Sequence, residues 1–157
     1  MQVSLRRVEG PDLVVLPQWY LDINGKEYTS RYTPKNFNGV DALKNEEYAW
    51  YMIQVNEIDC GVVFLEKEEK RADTAILGIM IGKNQFLGKG IGKKAISLVI
   101  EKAKTILSFT KVSLNVRKTN LRALKCYIDY GFKIVGQTEK ITSTGEKLEL
   151  FKMVLSV

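Results

Sequence analysis

The stretch Gln85-Phe86-Leu87-Gly88-Lys89-Gly90-Ile91-Gly92-Lys93 has the residue types and spacing best suited to chemistry in this 157-residue chain. It stands between a strand-like pattern and a helix-like one, where the first N–H groups of a helix lack partners and attract an anion. Alternate glycines let the backbone approach a bulky diphosphate and adopt positive φ. Lys89 and Lys93 add positive charge beside it. The same glycines would also suit a tight strand-to-helix turn with no ligand. A G-x-x-x-x-G-K-[ST] loop fails here, because position 87 is leucine and Lys94 follows Gly92-Lys93. The dinucleotide pattern G-x-G-x-x-G/A is formally met by Gly90, Gly92 and Ala95, but it wants an acidic residue about 20 positions on. The strand that should end on that acid ends instead in Asn115-Val116-Arg117.

The chain has no histidine. That excludes Ser-His-Asp and Cys-His catalysis and removes the commonest ligand of zinc, so no metal site is expected. Cys60 and Cys126 are far apart, without a CxxC partner, and read as ordinary thiols. Chemistry must therefore run on carboxylates, tyrosines, backbone groups or a borrowed cofactor. The net charge of +6 favours anionic partners, with a phosphate-rich cofactor and nucleic acid both open on composition alone.

These residues need elements to position them. Val3–Val8 reads as a first strand and Asp12–Asp22 as a helix interrupted by Pro17. Ile23–Val40 is a long aromatic loop containing Tyr28, Tyr32 and Phe37, of a length that usually marks function. Ala49–Val55 and Cys60–Glu66 form a hairpin, a charged turn spans Lys67–Arg71, and Ala72–Ile81 is a third strand. Apolar residues at Ile91, Ala95, Leu98, Val99, Ala103 and Ile106 predict a helix over Ile91–Leu107. Lys111–Val116 is a strand and Leu121–Tyr130 a helix. Phe132–Gly136 and Leu148–Leu155 are closing strands about a Ser143-Thr144-Gly145 turn. This order predicts an α/β (α+β) domain spanning residues 1–157, its mixed, mostly antiparallel sheet flanked by helices. Asn120, Ala123 and Tyr127 share one face of the Leu121–Tyr130 helix, while Leu121, Leu124 and Ile128 form a second stripe able to face the core.

Gln85, Gly88 and Gly90 supply the defined positions of [QR]-x-x-G-x-[GA], and the stretch resembles the pyrophosphate loop of the GNAT superfamily of N-acetyltransferases. The strand Leu77-Gly78-Ile79-Met80-Ile81 stands where that family holds the pantetheine arm. Asn120 to Tyr127, followed by Tyr130-Gly131-Phe132, resembles its second signature, N-x-x-A-x-x-x-Y ending in G-F. The match covers roughly Ala72 to Gly136. The resemblance implies acetyl-CoA as cofactor and direct acetyl transfer to a primary amine. Cofactor binding would fall to Ile79, Met80, Ile81, Gln85, Phe86, Leu87, Gly88, Lys89, Gly90, Ile91, Gly92, Lys93, Asn120, Ala123 and Tyr127. A backbone N–H within Ile79–Ile81 would stabilise the thioester oxygen, and Tyr127 would protonate the leaving thiolate. The sequence departs from the family near Ile76 and Leu77, where many members carry a glutamate base. Asp73, Glu46 and Glu47 are the carboxylates left as candidates.

The resemblance is closest to the branch of ribosomal-protein N-terminal, spermidine and aminoglycoside 6′ acetyltransferases. In that branch Trp19, Tyr20, Tyr28, Tyr32, Trp50 and Tyr51 would line the acceptor side or belong to the core, and aromatic walls there could hold a cationic amine. The expected partner is an amine acceptor, a small molecule or a peptide N-terminus, with the protein a monomer or homodimer. A non-catalytic acyl-CoA-binding module and a basic nucleic-acid-binding domain are the competing readings. The lysines of Lys89–Lys104 fall on the polar face of an amphipathic helix, so no nucleic acid is expected. Polar residues through Met1–Gly10, and the lack of an apolar run of about 20 residues, give a cytoplasmic expectation with no membrane.

Overall fold

In a computed structural model, residues 1–25, 31–39, 47–69 and 72–157 are described; Tyr28 and Glu46 lie outside them. The elements run β1 (Val3–Arg7), α1 (Asp12–Asp22), β2 (Tyr48–Val55), β3 (Ile58–Lys67), β4 (Thr74–Ile81), a 3₁₀ turn at Asn84–Phe86, α2 (Ile91–Ala103), β5 (Lys111–Arg117), α3 (Leu121–Tyr130), β6 (Lys133–Ile141) and β7 (Lys147–Ser156). They build one sheet in the order β1-β2-β3-β4-β5-β7-β6. Its only parallel pair among the described residues is β4–β5.

Alternation along the strands sends side chains to two separate cores. One lies against α2 and α3 and includes Tyr51, Ile53, Val63, Leu65, Leu77, Val112, Leu114 and Val116, with Ile91, Ala95 and Val99 of α2. The other lies under α1 and includes Leu16, Trp19, Trp50, Met52, Val62, Phe64 and Met80. α1 runs through Pro17 because Leu16 and Trp19 are buried on its inner face. Trp19, Tyr20, Tyr32 and Trp50 are thus parts of the α1 core rather than an open wall. Tyr51 faces the opposite way, toward α2, where Lys102 lies over its ring at 5.8 Å.

Most strand ends fall within two residues of the sequence reading, and the larger departures concern α2, β6 and the packing face of α3. α2 stops at Ala103, yet Leu107 still reaches the core because its N–H turns back to the carbonyl of Ala103 at 2.7 Å. β6 continues to Ile141, since it pairs with β7 along its length. On α3, Leu121 and Ile128 are exposed, and the core side is formed by Ala123, Leu124, Tyr127 and Tyr130.

Two charged groups fix the α1 layer. Arg6 grips Asp12 at the start of α1 at 2.8 Å and Asp59 of the β2–β3 hairpin at 2.7 Å. The guanidinium hydrogen bond draws the Asp59 carboxyl below its usual range. Glu66 is buried on the α1 face of β3 and accepts the N–H groups of Lys35 and Asn36, each at 2.8 Å, with Arg31 at 3.3 Å. It thereby pins the aromatic segment, whose Phe37 ring packs 5.0 Å from Trp50. Glu66→Ala leaves two N–H groups without their acceptor, and the expected loss is about 3 kcal/mol in urea unfolding. A loss below about 0.5 kcal/mol, the scale of an ordinary surface change, would contradict that role.

Candidate active site

The central feature of the site is a break in the sheet. β4 and β5 pair at Thr74–Lys111, Ala75–Val112 and Ile76–Ser113, and there the ladder stops. Beyond it, β4 continues to Ile81 paired with β3 alone, and β5 continues to Arg117 paired with β7 alone. Peptide groups alternate in direction along a strand, so the register says which of them face the break. The carbonyl of Asp73 accepts N–H groups from Thr110 and Lys111 of the β5 side, while Gly82 N–H donates to Cys60 of the β3 side. Odd positions of β4 thus face β5, and Ile79 and Ile81 direct N–H and C=O into the break. Met80 directs its peptide groups at Val62 and buries its side chain under α1. On β5, Lys118 N–H donates to Glu149 on the β7 side, which leaves Asn115 and Arg117 facing the break.

The Gln85–Lys93 stretch lies at the end of β4. Gly88 and Gly90 have φ of +75° and +76°, values that L side chains rarely adopt, and a Cβ on either would meet nothing within 4 Å. They are glycines for backbone conformation, and the space over them is open. Gly90 is the N-cap of α2 and no side chain caps it, so the first N–H groups of that helix point outward unpaired. Gln85 and Lys89 are exposed beside this loop, and Phe86 packs on the α2–α3 core. Ile91 is 1% exposed and its side chain belongs to that core. Lys93 is 3.8 Å from Asp129 of α3.

α3 flanks the same opening. The Asn120 side chain caps it by accepting the N–H of Ala123 at 3.3 Å. Cys126 sits against the first turn of α2, 3.6 Å from where a Gly92 Cβ would be. Tyr127, the next residue, packs against the α2–α3 core, edge-on to Phe132 at 5.8 Å. Burial pushes its phenol above the usual value, so the proton stays on through the neutral range. Burial also raises the Cys126 thiol.

On the opposite, α1 face, a cavity of about 290 Å³ opens where β4 and β5 part. Ile76 and Ser113 line it together with Glu68, Asn115, Thr138 and Lys152. Glu68 lies in what the sequence shows only as a charged turn. Of the candidate carboxylates, Asp73 accepts the Thr74 hydroxyl at 3.1 Å, and Glu47 is exposed; neither lines this cavity. Asn115 and Lys152 face each other in register across β5 and β7, a juxtaposition no local pattern shows.

Residues 5–133 match the sequence pattern of the acetyltransferase (GNAT) domain family. An uncharacterized protein of Methanocaldococcus jannaschii is 28% identical over 144 residues, which cover 84% of this chain but 28% of that protein. The spermidine N-acetyltransferase of Vibrio cholerae, in complex with CoA and spermine, superposes with a TM-score of 0.78 at 20% identity, covering 99% of this chain and 95% of that one. An aminoglycoside acetyltransferase in complex with coenzyme A superposes with a TM-score of 0.74 at 22% identity, with coverage of 99% and 95%. Among the described residues no helix is long and apolar enough to cross a membrane.

With space free around Gly90, a side chain there is penalised by φ alone. Gly90→Ala is expected to lower stability by about 1 kcal/mol, and Gly90→Asn by less, because asparagine tolerates the left-handed region. Urea unfolding of both variants checks this. Equal stability of wild type and Gly90→Ala would show that the turn does not need its positive φ.

Proposed function

The chain belongs to the GNAT acetyltransferase family, and on that premise we propose that it transfers the acetyl group of acetyl-CoA directly to a primary amine. The observation that carries the reading is the sheet break, edged by unpaired peptide groups and ending at an uncapped helix with open glycines. A thin amide chain fits such an edge as a missing strand would, and a diphosphate fits the free N–H groups of Ile91, Gly92 and Lys93. Lys89 and Gln85 flank it, with Asn120, Ala123 and Tyr127 on the other side of the opening. The cofactor, when bound, supplies a thioester whose carbonyl carbon acylates amines.

The residues divide the reaction between the two faces of the sheet. Ile79 N–H, held in a strand and already free of a partner, donates to the oxygen that gains negative charge. Tyr127, on the α2–α3 face, gives its proton to the sulfur as the C–S bond breaks. The amine approaches from the cavity on the α1 face and forms the C–N bond, and its surplus proton passes through water to Glu68. Nucleophile and leaving group thus arrive and depart on opposite sides. No residue of β4 need act as base, which accords with the apolar Ile76 and Leu77. Release of CoA on mixing acetyl-CoA with a panel of amines tests the transfer; binding without release supports an acyl-CoA-binding module instead.

Tyr127→Phe keeps the ring against Phe132 and removes only the hydroxyl. Its single-turnover rate is expected to fall by about 10²-fold, the scale of losing a general acid, with acetyl-CoA affinity unchanged. Because burial raises the phenol, the wild-type rate should show no alkaline loss below about pH 10, the ordinary tyrosine value. A Phe variant with the wild-type rate would return Tyr127 to a packing role.

A further inference from the structure

Arg117 ends β5 on the α1 face, the side opposite to Val116 and the same as Ser113 and Asn115. Its Nε is sealed from solvent and has no hydrogen-bond partner, a state shared among the described residues only with the Trp50 indole nitrogen. Among the described residues the other partly buried arginines are satisfied: Arg6 holds Asp12 and Asp59, and Arg31 holds Glu66. No described carboxylate forms an ion pair with Arg117. Lys152, opposite Asn115 in register, puts a second cation one pleat away on the same face. The carboxylate of the cavity, Glu68, lies in the β3–β4 connection, beyond Ile76 and Ser113. A polycation laid along this face would meet two like charges. A guanidinium with a dehydrated N–H and no acceptor is instead matched by a planar anion that takes two of its hydrogen bonds at once.

We propose that the acceptor is a small amine that also carries a carboxylate, an amino acid or short peptide, and that Arg117 binds that carboxylate and sets the specificity. This rests on the acetyl-transfer reading and narrows its acceptor. Carboxylate and amine of one molecule would then lie along β5, with the amine at the break and the anion at Arg117 and Lys152.

The test uses matched pairs: glycylglycine and glycylglycinamide, 5-aminopentanoate and 5-aminopentanamide, with spermidine as the polycation. Wild-type kcat/KM is expected to be at least tenfold higher for each carboxylate than for its amide. Arg117→Gln should lose tenfold or more on the carboxylates and less than threefold on the amides, and Arg117→Lys should recover part. Acetyl-CoA affinity should be unchanged, and the Tm of Arg117→Gln should equal or exceed that of wild type, since an unsatisfied N–H is removed. Equal rates within the pairs, a preference for spermidine, or loss of acetyl-CoA affinity in Arg117→Gln would each overturn the inference while leaving acetyl transfer intact. Titration of the same amines onto the CoA-saturated protein separates the two readings. Carboxylate-selective binding that needs Arg117, without turnover of any amine, keeps the anion site and overturns acetyl transfer. Absence of both binding and turnover overturns the proposal.

Discussion

A sheet is stable because its peptide groups pair, and unpaired N–H and C=O groups inside a protein are costly. β4 and β5 violate that rule over half their length, with Ile79 and Ile81 on one side and Asn115 on the other, while the Arg117 carbonyl is taken by the Asn120 N–H at 3.0 Å. Everything else in the site is arranged about this break. β3 and β7 keep the two strands in place by pairing fully along their outer edges. α2 and α3 close one face, held together through Gly92 with Cys126 and Lys93 with Asp129. α1 and the segment pinned by Glu66 cover the β1–β4 half of the other, leaving the cavity beside Ile76 and Ser113 open. An amide-bearing chain is the kind of ligand that restores what the strands have lost.

Division between faces follows from strand alternation. Met80 and Ile79 are neighbours in sequence, yet one completes a core and the other presents its backbone to the break. Tyr51 and Trp50 part in the same way, toward α2 and toward α1. A run such as Ala49-Trp50-Tyr51-Met52 is apolar at every position, so the sequence does not say which residue faces which layer. The residue types therefore leave Tyr51 open between the acceptor side and the core, and the pairing settles it in the core under Lys102.

Local features of the site were readable from residues alone. The glycines at 88 and 90 announce positive φ, and the 3.6-residue period places Ala123 and Tyr127 together. Features made by distant pairing were not. The break depends on where two ladders end, Arg117 is unusual only because nothing reaches it, and Glu68 is one charge in a charged turn until Ser113 and Lys152 come beside it. Of the α3 stripe only Leu124 faces the core, because Leu121 and Ile128 lie on the outer side of a short helix whose inner side is completed by Ala123, Tyr127 and Tyr130.

The claim that the break is the cofactor's seat is tested most directly by amide hydrogen exchange at single-residue resolution, with and without saturating acetyl-CoA. Met80 N–H, paired with β3, should exchange slowly in both states, while Ile79 and Ile81 N–H should exchange readily alone and become protected on binding. Protection of Ile79 and Ile81 equal to that of Met80 in the free protein, or no change with acetyl-CoA bound, would contradict the account.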